Sequence, residues 1–238
     1  MSDPGAPYPP QPWGLTGSIH TSVWLVPVGE IAPLLDPVLP AGFRPLVVRG
    51  RAVVGAAFAH YAPGGVLAYD ELLLAVVVRR GLGLAVTIPA IWVTSDASLR
   101  GGRELWAIPK HRARFERSPT GGGAGLDEAA TPDVLDPGPW PLSGELASVA
   151  YRRHVLVPGF HRLPLRTAQR LEGRDVVTGV QSVARLGIGS ARWSFASQGP
   201  FAVLAGRRPL LSAELARMLV AFGTTGREGQ SGDAAGGG

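Results

Sequence analysis

The sequence contains no cysteine. That absence excludes disulfides, a thiolate nucleophile and any cysteine-based metal site, and it fits a cytoplasmic protein. Lysine is almost missing as well: 22 of the 23 basic residues are arginine, and Lys110 is the exception. No run of Lys and Arg exceeds two residues and the net charge is only +5. A nucleic-acid groove is therefore not expected, although the pI is near 10.4. The five histidines (20, 60, 111, 154 and 161) include no pair at helical metal-ligand spacing and no HExxH, so no metal is expected. There is no GxSxG, no complete GxGxxG and no Walker sequence, which leaves serine hydrolysis and nucleotide cofactors without a signal. The chain opens on an acidic, proline-rich stretch where a secretory signal would be basic and then apolar. The longest apolar region, Leu72 to Val93, is interrupted by Arg79, Arg80, Gly81, Gly83 and Pro89. It reads as two buried strands with a turn, not as a membrane span.

What is present points to one mainly β domain over residues 15–223, between disordered tails at 1–14 and 224–238 that are rich in Pro and Gly or in Gly and Ala. Ser18 to Pro27, Leu46 to Arg49, Ala52 to Tyr61, Tyr69 to Val78 and Leu84 to Thr94 read as strands, rich in β-branched and aromatic residues. The prolines at 33, 37 and 40 allow only short helical turns between the first two. Pro89 suggests an edge or a bulge. Residues 94–102 read as a polar connection, and Pro119 to Pro141, with Gly121, Gly122 and Gly123 near its start, as a loop. Further strands are expected at 112–117, 143–151, 152–157, 175–186, 191–195 and 201–204. Leu211, Leu215, Met218, Leu219 and Phe222 fall near helical spacing behind a possible cap, Ser212, and suggest a terminal amphipathic helix. Many short strands and little helix favour an antiparallel sheet or barrel with a few helices, an α+β class that is mainly β.

Two residues carry the chemistry. Lys110 follows a proline and lies between the apolar run Leu105, Trp106, Ala107, Ile108 and the pair His111, Arg112. Arginine stays protonated, whereas a buried lysine can shed its proton and attack a carbonyl to form a Schiff base. In the strand beginning at Tyr69, alternation places Tyr69, Glu71, Leu73, Ala75 and Val77 on one face. A carboxylate on that apolar stripe is costly unless paired. It is either an edge carboxylate held by an arginine or the partner of an active-site lysine.

Gly102, Arg103, Glu104, Leu105, Trp106, Ala107, Ile108, Pro109 and Lys110, followed by Ala113, resemble the lysine signature of the acetoacetate decarboxylase superfamily. Tyr69, Asp70 and Glu71 resemble its Tyr-x-Glu strand start, and Ile31 to Pro45 is similar to its early helix and Leu-Pro turn. The resemblance implies a cone-shaped, mainly antiparallel β-barrel that assembles as a homo-oligomer. It implies an imine between Lys110 and a small-molecule oxo acid or ketone, with no metal or organic cofactor and with Glu71 moving protons. It also directs attention to Arg103, Glu104, Trp106, Tyr69 and Trp24 as residues around the substrate. Arg103 and Glu104 are expected to shape the site or pair with each other or with Glu71, and Arg103 is the candidate to hold a substrate carboxylate.

Two departures bear on the reaction. Where decarboxylases of the family carry a second lysine, this chain has His111, and Thr21 to Leu25 lacks the arginine that the early strand usually supplies. The resulting expectation is a lyase that uses Lys110 for aldol condensation or dehydration of an oxo acid or polyketide-like carbonyl, in secondary metabolism. Decarboxylation of a 3-oxo acid and a non-catalytic barrel holding an apolar carbonyl ligand are the alternatives.

Overall fold

The computed structural model describes residues 8–120, 125–133, 136, 138–140 and 144–224. Gly121 to Gly123, and the parts of the expected tails at 1–7 and 225–238, lie outside the described residues. The chain begins with β1 (Trp13–Pro27) and α1 (Val28–Leu35), then two short strands, β2 (Arg44–Pro45) and β3 (Val47–Val48). Next come β4 (Arg51–Ala62), β5 (Tyr69–Arg80), β6 (Gly83–Val93) and α2 (Asp96–Trp106). After them follow β7 (Lys110–Thr120), β8 (Gly125–Pro132), β9 (Ala147–Leu156), β10 (His161–Leu171) and β11 (Arg174–Phe195). A 3-10 helix (Pro200–Leu204) and β12 (Leu211–Thr224) complete the described chain.

All twelve strands belong to one hydrogen-bonded sheet. The sequence β1, β4, β5, β6, β10, β11, β12 returns to β1 and closes a seven-strand ring. A second ring leaves β6 through β7, β8 and β9 and rejoins at β11. The pairings are antiparallel except β6 with β10 and β6 with β7. This is the mainly β, barrel-like architecture expected, with two parallel junctions where β6 meets the strands that divide the rings. Closure leaves few edges to protect.

Alternation decides which ring each side chain serves. On β5, Leu72, Leu74 and Val76 join Trp24, Phe58, Trp92 and Phe201 in one apolar cluster. Tyr69, Leu73 and Ala75, on the other face, pack with Trp13, Ile91, Trp106 and Ile108. Each fully buried large side chain of this kind contributes about 1.5–3 kcal/mol. Pro89 sits where the register slips: Leu74 faces Ala90 but Val76 faces Thr87. The proline is thus accommodated in a bulge, not at an edge.

Several expected elements differ. Leu211–Thr224 is a strand, not a helix. Gly17 faces Met218 but Ile19 faces Leu215, so Ala216 and Arg217 form a bulge, and Arg217 has φ 49. The bulge resets the two-residue alternation, and the resulting apolar spacing imitates a helix. Asp96–Trp106, whose first part falls in the polar connection expected at 94–102, forms α2. Pro119 to Pro141 contains β8, Phe201 to Leu204 is 3-10 helix, and β10 has no counterpart among the expected strands. The strands expected at 175–186 and 191–195 are one continuous β11. Of the expected N-terminal tail, residues 8–14 are placed: Trp13 is fully buried and its indole donates to the Pro9 carbonyl at 2.7 Å.

Across the sheet from the Trp13 side, β1 buries His20 between Glu128 on β8 and Glu214 on β12, at 3.0 and 3.8 Å. Burial pushes the imidazole down, but hydrogen bonds and charge from both carboxylates outweigh it and hold His20 above its usual value. The His20 hydrogen bond, aided by Arg153 and opposed by burial, holds Glu214 below the usual carboxylate range. A raised histidine stabilises the fold fully below about 6.5, its unfolded value, and loses that contribution as pH rises through the folded value. A lowered carboxylate stabilises above about 4.3 and loses its contribution as pH falls through the folded value. Denaturant unfolding should therefore give a stability maximum in weak acid that falls towards pH 8. His20→Gln should flatten the alkaline limb; an unchanged limb would show that this triad does not set it.

Candidate active site

Lys110 reaches its place through the end of α2. Ser95 caps this helix, its hydroxyl accepting from the Ser98 amide at 3.2 Å. Asp96 in the first turn and Arg103 in the last complement the helix dipole. At the C-terminus Ala107 turns left-handed with φ 55. Its amide bonds the Arg103 carbonyl, and the Ile108 amide bonds the Gly102 carbonyl at 3.0 Å. Pro109 cannot continue the helix, and the chain folds back so that Lys110 opens β7 beside Ile91 of β6. The Arg103 guanidinium clamps this return by donating to the Lys110 carbonyl at 2.8 Å.

The lysine side chain then runs beneath α2. Nζ donates to Glu71 Oε2 at 2.8 Å and to Ser98 Oγ at 2.9 Å, and lies 5.2 Å from the centroid of the Tyr69 ring. Lys110 is 4% exposed and Glu71 is 5% exposed. Ser98 and Gly102, four residues apart, lie on the same helix face: one bonds the amine and the other makes room for its stem. A Cβ on Gly102 would lie 2.6 Å from Lys110 Cδ and 2.8 Å from Cε. Gly to Ala ordinarily gains about 1 kcal/mol in a helix. Here Gly102→Ala must push the lysine stem aside. Stability by denaturant should change little, while carbonyl adduct formation at Lys110 should fall about 10²-fold, as for a misplaced reacting group. Wild-type adduct rates would show that the close fit is not needed.

The amine faces a cavity of about 330 Å³, within the range of small-molecule sites. Apolar side chains from β1, β5, β6, β10 and β12 dominate its walls, among them Ile19, Leu73, Ile91, Leu163, Met218 and Phe222. Tyr61, Tyr69, Thr21, Thr167 and Ser182 supply hydroxyls. Burial, reinforced by the Glu71 charge, pushes both phenols well above their usual value, so they stay neutral. Tyr61 and Tyr69 are cross-strand partners on β4 and β5, with ring centroids 4.7 Å apart.

Of the residues singled out in the sequence, Lys110, Glu71, Tyr69 and Trp106 all line this cavity. The indole N–H of Trp106 donates to Gln11 and its ring packs on Trp13 and Phe222. Three others lie elsewhere. Trp24, at an even position of β1, points into the opposite cluster, stacks edge-on with Trp193 and Phe195 and donates to the Arg207 carbonyl. Glu104 faces outward and accepts from the Tyr8 hydroxyl at 2.5 Å. Arg103, besides its clamp on Lys110, faces His111 and Asp136 at 3.3 and 3.5 Å; it pairs with neither Glu104 nor Glu71. Helix geometry explains both corrections, since the face that carries Ser98 and Gly102 towards the amine turns residues 103 and 104 away. His111, next to Lys110 on a strand, also points away, towards Trp92 and Trp140. Burial, partly opposed by Asp136, lowers its pKa.

Sequence reading missed Ser98 and Tyr61. The cap pattern at Ser95 and Ser98 was the available signal for the first. For the second, the signal was the alternation Ala57, Ala59, Tyr61.

The sequence model of the acetoacetate decarboxylase (ADC) family matches residues 3–127, just over half of the 238. No curated protein sequence matches the chain. Among solved structures, the enduracididine biosynthesis enzyme MppR complexed with pyruvate is similar, with TM-score 0.64 and 15% identity over 92% of this chain and 90% of that one. MppR complexed with the condensation product of pyruvate and imidazole 4-carboxaldehyde gives 0.58 and 14% over 90% and 87%. Acetoacetate decarboxylase from Legionella pneumophila subsp. pneumophila str. Philadelphia 1 gives 0.63 and 15% over 93% and 89%. At such identities these likenesses show the fold alone; the family match over residues 3–127, more than half of the chain, makes it a member of the acetoacetate decarboxylase family.

Proposed function

We propose that the protein is a lyase that forms a Schiff base between Lys110 and a carbonyl substrate, and that it carries out aldol condensation and dehydration. The observation that carries this reading is the burial of the chain's single lysine against Glu71 in an apolar cavity. Deprotonated Nζ adds to the substrate carbonyl, and the carbinolamine loses water to give an iminium. That cation withdraws electrons from the neighbouring carbon, so its α-proton becomes acidic. Glu71, at hydrogen-bond distance from Nζ, takes the proton and leaves an enamine. The enamine carbon bonds to a second carbonyl, water is lost from the adduct, and hydrolysis of the remaining iminium releases product and lysine. Ser98 orients the amine, and the neutral Tyr69 phenol ring lies beside it, its centroid 5.2 Å from Nζ. The captured condensation product in MppR supports carbonyl-to-carbonyl chemistry in this fold.

The enamine step is testable without the natural substrate. A ketone incubated with the protein in deuterium oxide should exchange its α-protons faster than the buffer rate, as followed by proton NMR. Exchange no faster than buffer, across ketones that bind, would favour a binding barrel in place of an enzyme.

A further inference from the structure

We infer, building on that Schiff-base reading, that the Lys110 cavity takes a neutral, predominantly apolar carbonyl compound and discriminates against short oxo acids. Among the described residues lining the cavity, Lys110 is the cation and Glu71 the anion, and they hold each other at 2.8 Å. Among the described residues, no arginine or histidine lines it. Arg103, the sequence's candidate for a substrate carboxylate, is committed outside the cavity to the Lys110 carbonyl and Asp136. Conversion of the ammonium to an iminium leaves the balance unchanged: one positive group faces one carboxylate. A substrate carboxylate would add a second negative charge with no second cation, inside walls of Ile19, Leu73, Leu163, Met218 and Phe222, where an unpaired charge is strongly disfavoured.

The hydroxyls on these walls do not alter that balance. Thr21 donates to the Ala56 carbonyl and Ser182 to the Leu163 carbonyl. The Thr167 hydroxyl has no partner among the described residues; a hydroxyl can meet a neutral oxygen but cannot neutralise an anion. The apolar lining continues outward along β10 to Leu165, which lines the cavity and is 45% exposed. An alkyl chain extending from the carbonyl therefore finds matching surface from the amine to the rim.

The test pairs 2-octanone with 7-oxooctanoate, which carry the same methyl ketone and differ by a terminal carboxylate, and adds pyruvate and acetoacetate. Each is incubated with the full chain and sodium borohydride, and the adduct on Lys110 is quantified by peptide mapping. The expected result is trapping of 2-octanone at least roughly tenfold faster than any of the three acids, the preference that unpaired charge burial imposes. Acids trapped as fast as 2-octanone, or faster, would overturn the inference while leaving imine chemistry intact. No adduct with any of the four, on protein shown to be folded, would instead remove the Schiff-base reading on which the inference stands.

Discussion

Lys110→Arg is expected to leave a folded protein that forms no carbonyl adduct at residue 110 and has lost the activity entirely. Arginine keeps the positive charge opposite Glu71, so the cost of an unpaired buried carboxylate, about 3–5 kcal/mol when one partner of a buried pair is removed, is largely avoided. The guanidinium is not a nucleophile at any accessible pH and cannot make an imine. The substitution thus separates charge pairing from covalent chemistry. Retention of measurable turnover in Lys110→Arg would show that the residue serves as a salt-bridge anchor. Because the chain has no other lysine, no neighbouring lysine can substitute for it and blur the outcome.

Glu71→Gln should do something different. Glutamine keeps an oxygen near Nζ and a similar shape, but it cannot accept an α-proton. Imine formation, read by trapping, should persist, while α-proton exchange and turnover fall by about 10²–10⁴-fold, the usual contribution of a positioned acid–base group. Equal losses of trapping and turnover would instead assign Glu71 to holding the amine. Wild-type exchange would remove it from proton transfer altogether. The split between the two readouts is the informative quantity, since a purely structural defect would lower both together.

Much of this site could be read in the sequence because strands obey a simple rule. Alternation from Tyr69 put Glu71 on the stripe with Leu73 and Ala75, and all four line the cavity. The scarcity of lysine pointed to Lys110. What escaped reading did so for identifiable reasons. Gly101 and Gly102 weaken helix propensity, so α2 passed for a connection; their value lies in tight packing, against Trp13 for the first and the lysine stem for the second. With α2 missed, the directions of Arg103 and Glu104 could not be assigned. In β12 the bulge at Ala216 and Arg217 shifted the apolar phase by one residue and simulated a helix. In β10, Pro164 between exposed Arg162 and Arg166 hid a strand whose Leu163 and Thr167 complete the cavity wall. Trp24 was misplaced because its strand buries both faces, and composition does not tell one cluster from the other.

Imine formation by Lys110 is tested by borohydride reduction of the wild-type protein with a carbonyl compound, followed by peptide mapping by mass spectrometry that also covers the N-terminal amine. The expected result is a reduced adduct on Lys110, carrying the full mass of the carbonyl compound less the oxygen lost as water. Folded protein that gives no adduct on Lys110 across neutral ketones and oxo acids, or an adduct confined to the N-terminal amine, would contradict it.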